Sequence, residues 1–324
     1  MKAIIAERYG MPDVLELKDV AVPIPKDNEV LVKVHAASLN MADWHLLTAD
    51  VFLVRLSSGL FKPKNKIPGM DVAGRVEAVG KNIRQFQVGD DVYGDLSGCG
   101  GGSFSEYVVV PEKVLALKPV NLTFEEAAAF PMAAVTALQG LRDMGKIQSG
   151  QKVLIQGASG GVGAFAVQIA KAYGVEVTAV CSTRNVEQAR SLGADHVIDY
   201  TKEDFTKNGK QYDLIFAANG YRKLEEYKSS LAPKGIYVMS GGSTKQIFEA
   251  LLRGSFLSEK NGRKLYAFTA QPKQEDLVFL KAWAEAGKVK PVIDKCYPLS
   301  EAADALRYLG EGHARGKVIL TIAS

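Results

Sequence analysis

Val153-Leu-Ile-Gln-Gly-Ala-Ser-Gly-Gly-Val-Gly163 runs from a short apolar strand through a glycine turn into a helix, and this stretch organises the reading of the whole chain. A glycine turn signals dinucleotide binding only in that context. Gly160 lets backbone approach a pyrophosphate, Gly163 lets the helix pack tightly on the strand, and the N–H groups and dipole at the helix start attract phosphate. Ala158 stands where the stricter motif has its first glycine, and Ser159, Gly161 and Val162 complete the loop. A glycine-rich turn without a ligand is the weaker reading, because further strands follow at the right spacing.

Downstream the pattern alternates strand and helix, which argues for a parallel sheet with crossover helices. Strands are expected at Val153–Gln156, Glu176–Cys181, His196–Ile198, Leu214–Ala217, Ile236–Met239 and Leu265–Phe268. Helices are expected near Val162–Tyr173, Val186–Leu192, Leu224–Leu231 and Lys245–Leu252. This is the strand count of a doubly wound fold. Its second strand ends in Cys181-Ser-Thr-Arg184, where NAD-binding folds carry an acid for the ribose 2′-hydroxyl. No carboxylate stands there to repel a 2′-phosphate, Ser182 and Thr183 offer hydroxyls, and Arg184 offers a guanidinium. NADPH is therefore the expected cofactor. Tyr200, ending the third strand, either closes over the adenine side or is an ordinary strand-end tyrosine.

Upstream, short apolar runs broken by Gly, Pro, Asn and Asp mark an irregular β-domain. Strand candidates are Lys2–Glu7, the alternating Glu29–Ser38, Asp71–Val79, Asp91–Tyr93 and Phe104–Val110, which a partly closed barrel would bury. Phe124–Met144 reads as two helical stretches around Pro131, with Thr123 and Glu126 as a capping box. The last part reads as helix Leu277–Ala286, strand Pro291–Cys296, helix Glu301–Leu309 capped by Ser300, and strand Lys317–Ile322.

A chain of 324 residues, 47% hydrophobic, suits two full cores. Its 40 basic and 36 acidic residues are scattered, so nucleic-acid binding has little support, and the basic run Lys62–Lys66 reads as a solvated loop. Cys99, Cys181 and Cys296 do not suggest a disulfide framework. With no secretory or membrane-spanning segment, a soluble cytosolic protein is expected.

Several further stretches carry a resemblance: Ala36-Ala-Ser-Leu-Asn-Met-Ala-Asp-Trp44, Pro68-Gly-Met-Asp-Val-Ala-Gly-Arg-Val-Glu-Ala-Val-Gly80, Gly101-Gly-Ser-Phe-Ser-Glu-Tyr107, Ser191-Leu-Gly-Ala-Asp195 and His313-Ala-Arg-Gly-Lys317. With the glycine loop, they make the chain resemble the medium-chain dehydrogenase/reductase superfamily, in its zinc-free quinone oxidoreductase branch, close to the chloroplast-envelope homologues. The resemblance spans nearly the whole chain. It implies an α/β protein with an irregular GroES-like β-barrel catalytic domain (1–122), a doubly wound Rossmann cofactor domain (123–270) and a return segment (271–324) that completes the first. It also implies a homodimer through the strand near Leu265–Phe268, whose open edge needs cover.

Zinc relatives bind their catalytic metal through Cys, His and Cys. The matching places here read Asn40-Met41, Met70 before Asp71, and Met132, and only Cys99 lies near the structural-zinc region, so no metal is expected. His35 and His196 read as strand residues. The resemblance nominates Asn40 for the nicotinamide ribose or the substrate oxygen, and Thr136 for the nicotinamide end. It puts Asn219 and Ser240-Gly241-Gly242 beside the cofactor and Phe268 at the ring, and leaves Lys317 either reaching the cofactor or on the surface. Asp43 would fix the loop, and Trp44 is either an apolar wall for a planar substrate or a packing residue. Ala49–Lys66 carries either a short helix closing the substrate side or a satellite core.

No tyrosine has a lysine four residues later, so metal-free alcohol oxidation lacks its usual proton relay. A quinone or an α,β-unsaturated carbonyl avoids that need, because it spreads the arriving charge onto its own oxygen. Hydride transfer from NADPH to such an acceptor is the expected activity, with water or Tyr93 as a proton source. The rivals are a non-catalytic NADPH-binding protein and, less favoured, a zinc alcohol dehydrogenase.

Overall fold

The computed structural model describes residues 1–50, 55–56, 58–242 and 262–322. They group into two compact units, Met1–Val135 with Gln271–Gly287 and Pro291–Ser324, and Thr136–Ala270 with Lys288–Lys290. The helix expected at Lys245–Leu252, like Phe52 and Leu53 of the Ala49–Lys66 stretch, lies outside the described residues.

The second unit is built on a six-stranded parallel sheet in the order His196–Asp199, Glu176–Cys181, Lys152–Gln156, Tyr212–Ala217, Leu231–Met239, Lys264–Ala267. In chain order this is 3-2-1-4-5-6, the doubly wound arrangement. Lys152–Gln156 buries all but its first residue, as a strand covered on both faces must. The order reverses between Lys152–Gln156 and Tyr212–Ala217, so the carboxyl ends of those two strands mark the binding crevice. Gly161–Ala172 is the first crossover helix, and its run Gly163–Ala170 is buried.

In the first unit, Glu29–Leu39 organises the sheet. Its amino-terminal half pairs with Tyr107–Pro111, its carboxyl-terminal half with Lys317–Thr321, and its other edge with Asp71–Val79, all antiparallel. Asp91–Asp95 and Leu115–Leu117 extend the sheet beyond Asp71–Val79, and Ile293–Pro298 lies parallel to Lys317–Thr321 at the opposite end. Leu15–Asp19, a strand without a sequence signal, pairs with Lys2–Ala6; it is almost wholly exposed and alternates poorly. Val30, Val32, Val72, Val92, Phe104, Leu306 and Leu320 share the core of this unit.

The Thr123–Glu126 capping box is present, with Glu126 N–H donating to Thr123 Oγ1 at 3.2 Å and Thr123 N–H to Glu126 at 2.9 Å. Ser300 is not a helix cap: Leu299–Glu301 forms a 3-10 turn, and the helix Ala302–Gly310 starts after Glu301. Leu56, Leu60 and Phe61 are exposed, which removes the satellite-core reading for them. No described helix is long and apolar enough to cross a membrane.

Candidate functional site

The predicted residues fall into two groups, one in each unit. In the second unit, Gly157 holds φ at +76°, and its N–H and that of Ala158 both donate to Val180 O at 3.2 Å, fastening the turn to the neighbouring strand. A Cβ on Gly163 would lie 2.0 Å from Gly157 O, so only glycine allows the helix to start this close to the turn. A Cβ on Gly160, by contrast, would meet nothing nearer than Gly157 O at 3.7 Å. Gly160 is the helix N-cap, and no side chain caps it. The space above the loop is thus open and its leading N–H groups face no capping side chain, which fits a pyrophosphate.

Neighbouring loops are held to this turn by a buried network. Gln156 Nε2 donates to Asn219 O at 3.1 Å, while Tyr227 OH donates to Gln156 Oε1 at 2.6 Å and accepts from Tyr221 N–H at 3.3 Å. Gly220 N–H donates to Gly241 O at 2.9 Å, so Asn219 and the Ser240–Gly242 segment lie side by side. Ser240 Oγ is buried without a hydrogen-bond partner, an orphan that a polar ligand would satisfy. Phe268 N–H continues the ladder to Met239 O at 3.1 Å. Thr136 is half-buried in the helix Pro131–Gln139. Sequence reasoning missed Gln156 and Tyr227; a glutamine ending a wholly apolar strand was the available signal.

Ser159 Oγ and Ser182 Oγ both accept from Asn185 Nδ2, at 3.0 and 3.1 Å. Arg184 is exposed, and Tyr200 is exposed beside Tyr221, their ring centroids 6.1 Å apart. Thr183 corrects an expectation. Its hydroxyl donates to Asp199 Oδ2 at 2.6 Å, so a carboxylate does reach this corner, from the third strand instead of the second.

In the first unit, Asp71 is the hub of a buried polar cluster. Asp71 Oδ2 accepts from Ser38 Oγ at 2.7 Å and Asn40 Nδ2 at 2.9 Å, and Oδ1 accepts from Met132 N–H at 2.9 Å. Lys317 Nζ lies 3.4 Å from Asp71 Oδ2 and donates to Asn40 Oδ1. Lys317 is 4% exposed and Asp71 fully buried, so Lys317 is not the surface lysine left open by the sequence. Neither Asp71 nor Ser38 was singled out from the sequence; an aspartate opening an apolar strand was the signal.

Asp43 and Asp95 are buried in the same region. Asp43 accepts from the Asn40 N–H at 2.8 Å, which fixes the loop. Burial pushes Asp43 up to about 7, the Asn40 hydrogen bond opposing and the Asp71 carboxylate reinforcing the shift. Burial, then Asp71, pushes Asp95 up to about 6. A carboxyl whose folded pKa exceeds its unfolded value favours the fold most in acid, and that contribution is lost as pH rises from about 3.9 through the folded value. Asp43→Asn keeps an oxygen for the Asn40 N–H and removes the titration. Its stability relative to the parent chain is expected to improve by about 2 kcal/mol between about pH 5 and about pH 8. Melting curves at both pH values check this, and a constant difference would speak against a titrating Asp43.

A cavity of about 380 Å³ adjoins this region, lined among others by Tyr9, Asp43, Leu47, Ile67, Pro68 and Met70. Trp44 is not among its lining residues. The ring of Trp44 lies on Gly310, where a Cβ would come within 2.2 Å of it, and Trp44 packs partly buried against the core. Tyr93 is withdrawn from the chemistry. It is fully buried, donates to Leu277 O at 2.7 Å, and burial holds its pKa far above the usual tyrosine range. His35 stacks on Phe124 with centroids 4.2 Å apart, and His196 Nε2 lies 3.1 Å from Glu176. Among the described residues, no three His, Cys, Asp or Glu side chains converge as a metal site.

Family comparisons match residues 26–120 to the alcohol dehydrogenase GroES-like domain and residues 192–320 to the zinc-binding dehydrogenase family. The chain is 37% identical to a chloroplast envelope quinone oxidoreductase homolog of Arabidopsis thaliana, over 94% of this chain and 93% of the relative. It is also 37% identical to the chloroplastic NADPH-dependent alkenal/one oxidoreductase of the same plant, over 99% of this chain and 79% of the relative. Among solved structures, the quinone oxidoreductase of Coxiella burnetii superposes with a TM-score of 0.88 at 30% identity, covering 100% of this chain and 99% of that one.

Those relatives overturn the expectation of a cytosolic protein, since the two plant proteins are named for the chloroplast. That expectation rested on the lack of a secretory or membrane-spanning segment, and a plastid transit peptide is neither. The glycine cradle, the six-stranded sheet and the extent of these matches lead to one conclusion: the chain belongs to the medium-chain dehydrogenase/reductase family, in its quinone oxidoreductase branch, and is an oxidoreductase.

Proposed function

We propose that the chain is an NADPH-dependent, metal-independent reductase that moves a hydride onto a quinone or onto the carbon–carbon double bond of an α,β-unsaturated carbonyl compound. The observation that carries this reading is the amide of Asn40, held between Lys317 and Asp71. An ammonium only donates and a carboxylate only accepts, so the two partners fix which end of the amide is which. One Nδ2 hydrogen then remains as a preorganised donor for the charge that gathers on the carbonyl oxygen of a conjugated acceptor. Bound nicotinamide supplies the hydride.

The chain's own part is binding and orientation. Ala158–Gly163 hold the pyrophosphate, and Ser182 and Arg184 meet the 2′-phosphate. Tyr200 covers the adenine side, and Thr136, Asn219, Ser240–Gly242 and Phe268 border the nicotinamide half. The cavity beside Asp43 is large enough to hold a small planar acceptor. Metal independence is supported by the donor set: an amide and two thioethers, Asn40, Met70 and Met132, stand where thiolates and an imidazole would be needed.

The test is NADPH oxidation with a panel of quinones, alkenals and enones, in the presence of chelator. Turnover with at least one class is expected; none with any would sink the reading. A homodimer through Lys264–Ala267 completes the proposal, because that strand ends the described order of the sheet. Light scattering is expected to give twice the 35.0 kDa chain mass, and a monomer would contradict it.

A further inference from the structure

Asp199 closes the third strand of the parallel sheet directly opposite Cys181, the residue that precedes Ser182-Thr183-Arg184. Its carboxylate gathers two nearby hydroxyls. Oδ2 accepts from Thr183 Oγ1 at 2.6 Å, Oδ1 accepts from Thr201 Oγ1 at 2.7 Å and Thr201 N–H at 3.1 Å, and the two hydroxyls lie 3.0 Å apart. The side chain is 12% exposed, with Lys202 Nζ at 3.4 Å. These hydrogen bonds, that of Thr183 first, hold the carboxyl at about 2, so it is charged throughout the physiological range.

A hydroxyl has one proton. Thr183 spends its proton on Asp199 and turns only lone pairs outward, toward the place where dinucleotide folds read the ribose 2′ position. Lone pairs and a carboxylate attract a 2′-hydroxyl, which donates, and repel a 2′-phosphate, which is anionic. We propose that Asp199 is a specificity-determining residue of the nucleotide site: reaching the ribose corner from the third strand, it does the work of the acid missing after the second and makes the chain accept the unphosphorylated coenzyme beside NADPH. The inference rests on the reading of Ser182–Arg184 as the 2′ site.

Equilibrium binding of NADPH and NADH to the intact chain, by titration calorimetry, tests it. Asp199→Asn removes the charge and keeps an acceptor oxygen for one of the two Thr hydroxyls. The ratio of NADH to NADPH dissociation constants is expected to rise about tenfold, through tighter NADPH binding, and the gain to shrink in high salt. An unchanged ratio, or a parallel loss of both nucleotides, would overturn the proposal. Thr183→Val leaves the carboxylate in place and guards against misfolding of the first variant. NADPH affinity is expected to stay within about twofold, because the hydroxyl makes no bond to the phosphate; a drop of about tenfold would show that Thr183 donates there and overturn the proposal.

Arg184→Ala separates this inference from the reading beneath it. A ratio that falls with Arg184→Ala but ignores Asp199→Asn keeps the NADPH site and removes Asp199 from it. A ratio that ignores Arg184→Ala but rises with Asp199→Asn keeps Asp199 and removes Arg184. Absence of binding of either nucleotide to the parent chain overturns both.

Discussion

Lys317→Met is expected to destabilise the first unit by about 3–5 kcal/mol and to cut turnover by at least about a hundredfold. Methionine fills similar volume, so the loss is electrostatic. Lys317 is the cation beside a fully buried Asp71, with two more buried carboxyls, Asp43 and Asp95, close enough for Asp71 to raise the proton affinity of both. Removing one partner of a buried pair leaves the other charge uncompensated, which costs more than the intact pair ever contributed. Removing both is gentler: Lys317→Met with Asp71→Asn is expected to recover most of the stability. Turnover should stay low, because neither partner then orients the Asn40 amide. Thermal melts and rates for the two single variants and the double variant check this. If the single lysine variant melts with the parent chain, the cluster has been misread.

Gly163→Ala is the second severe change, and a control separates its causes. In a helix, Ala is favoured over Gly by about 1 kcal/mol, so propensity alone predicts a gain. The added Cβ would however sit 2.0 Å from Gly157 O and 2.8 Å from Ala158 Cα, both backbone atoms that cannot swing aside. Overpacking of this kind costs about 1–3 kcal/mol or more, and the loop must move off the helix start. Lower stability and a loss of nucleotide affinity of at least about a hundredfold are expected together. Gly160→Ala meets nothing closer than 3.7 Å in the protein, so its stability is expected to fall by only about 1 kcal/mol, the difference between Gly and Ala at a helix N-cap, while nucleotide affinity falls much further. Equal affinity for the parent and both variants would remove the phosphate from this loop.

The cofactor half of the molecule was the more legible in sequence. Strands covered on both faces read as apolar runs, and Lys152–Gln156, Glu176–Cys181 and Tyr212–Ala217 lie within two residues of their expected limits. Glu29–Leu39 was legible for the opposite reason, since its alternation reflects a strand with one face covered along part of its length. Leu15–Asp19 and Leu115–Leu117 escaped because one is exposed and the other is three residues long.

Site residues divided along the same lines. The glycine loop announces itself because each glycine answers a local backbone demand. Asp71 depends on Ser38, Asn40, Met132 and Lys317, brought together by strand pairings that span much of the chain, and no local pattern encodes them. Asp199 was hidden in the same way: the rule for ribose recognition looks along the second strand, whereas this acid arrives sideways from the third. Tyr93 carried a functional reading because an aromatic residue near a site invites one, yet its hydroxyl is committed to Leu277 O in the core.

Hydride transfer to a conjugated acceptor is the claim on which the rest depends, and isotope labelling tests it most directly. The chain would be incubated with an enone and NADPH carrying deuterium at C4 of the nicotinamide, each face labelled in turn, and the saturated product examined by NMR. Deuterium at the carbon β to the carbonyl, delivered from one face only and in the presence of chelator, is the predicted result. A product without deuterium at that carbon from either labelled coenzyme, or one formed only when zinc is supplied, would contradict it.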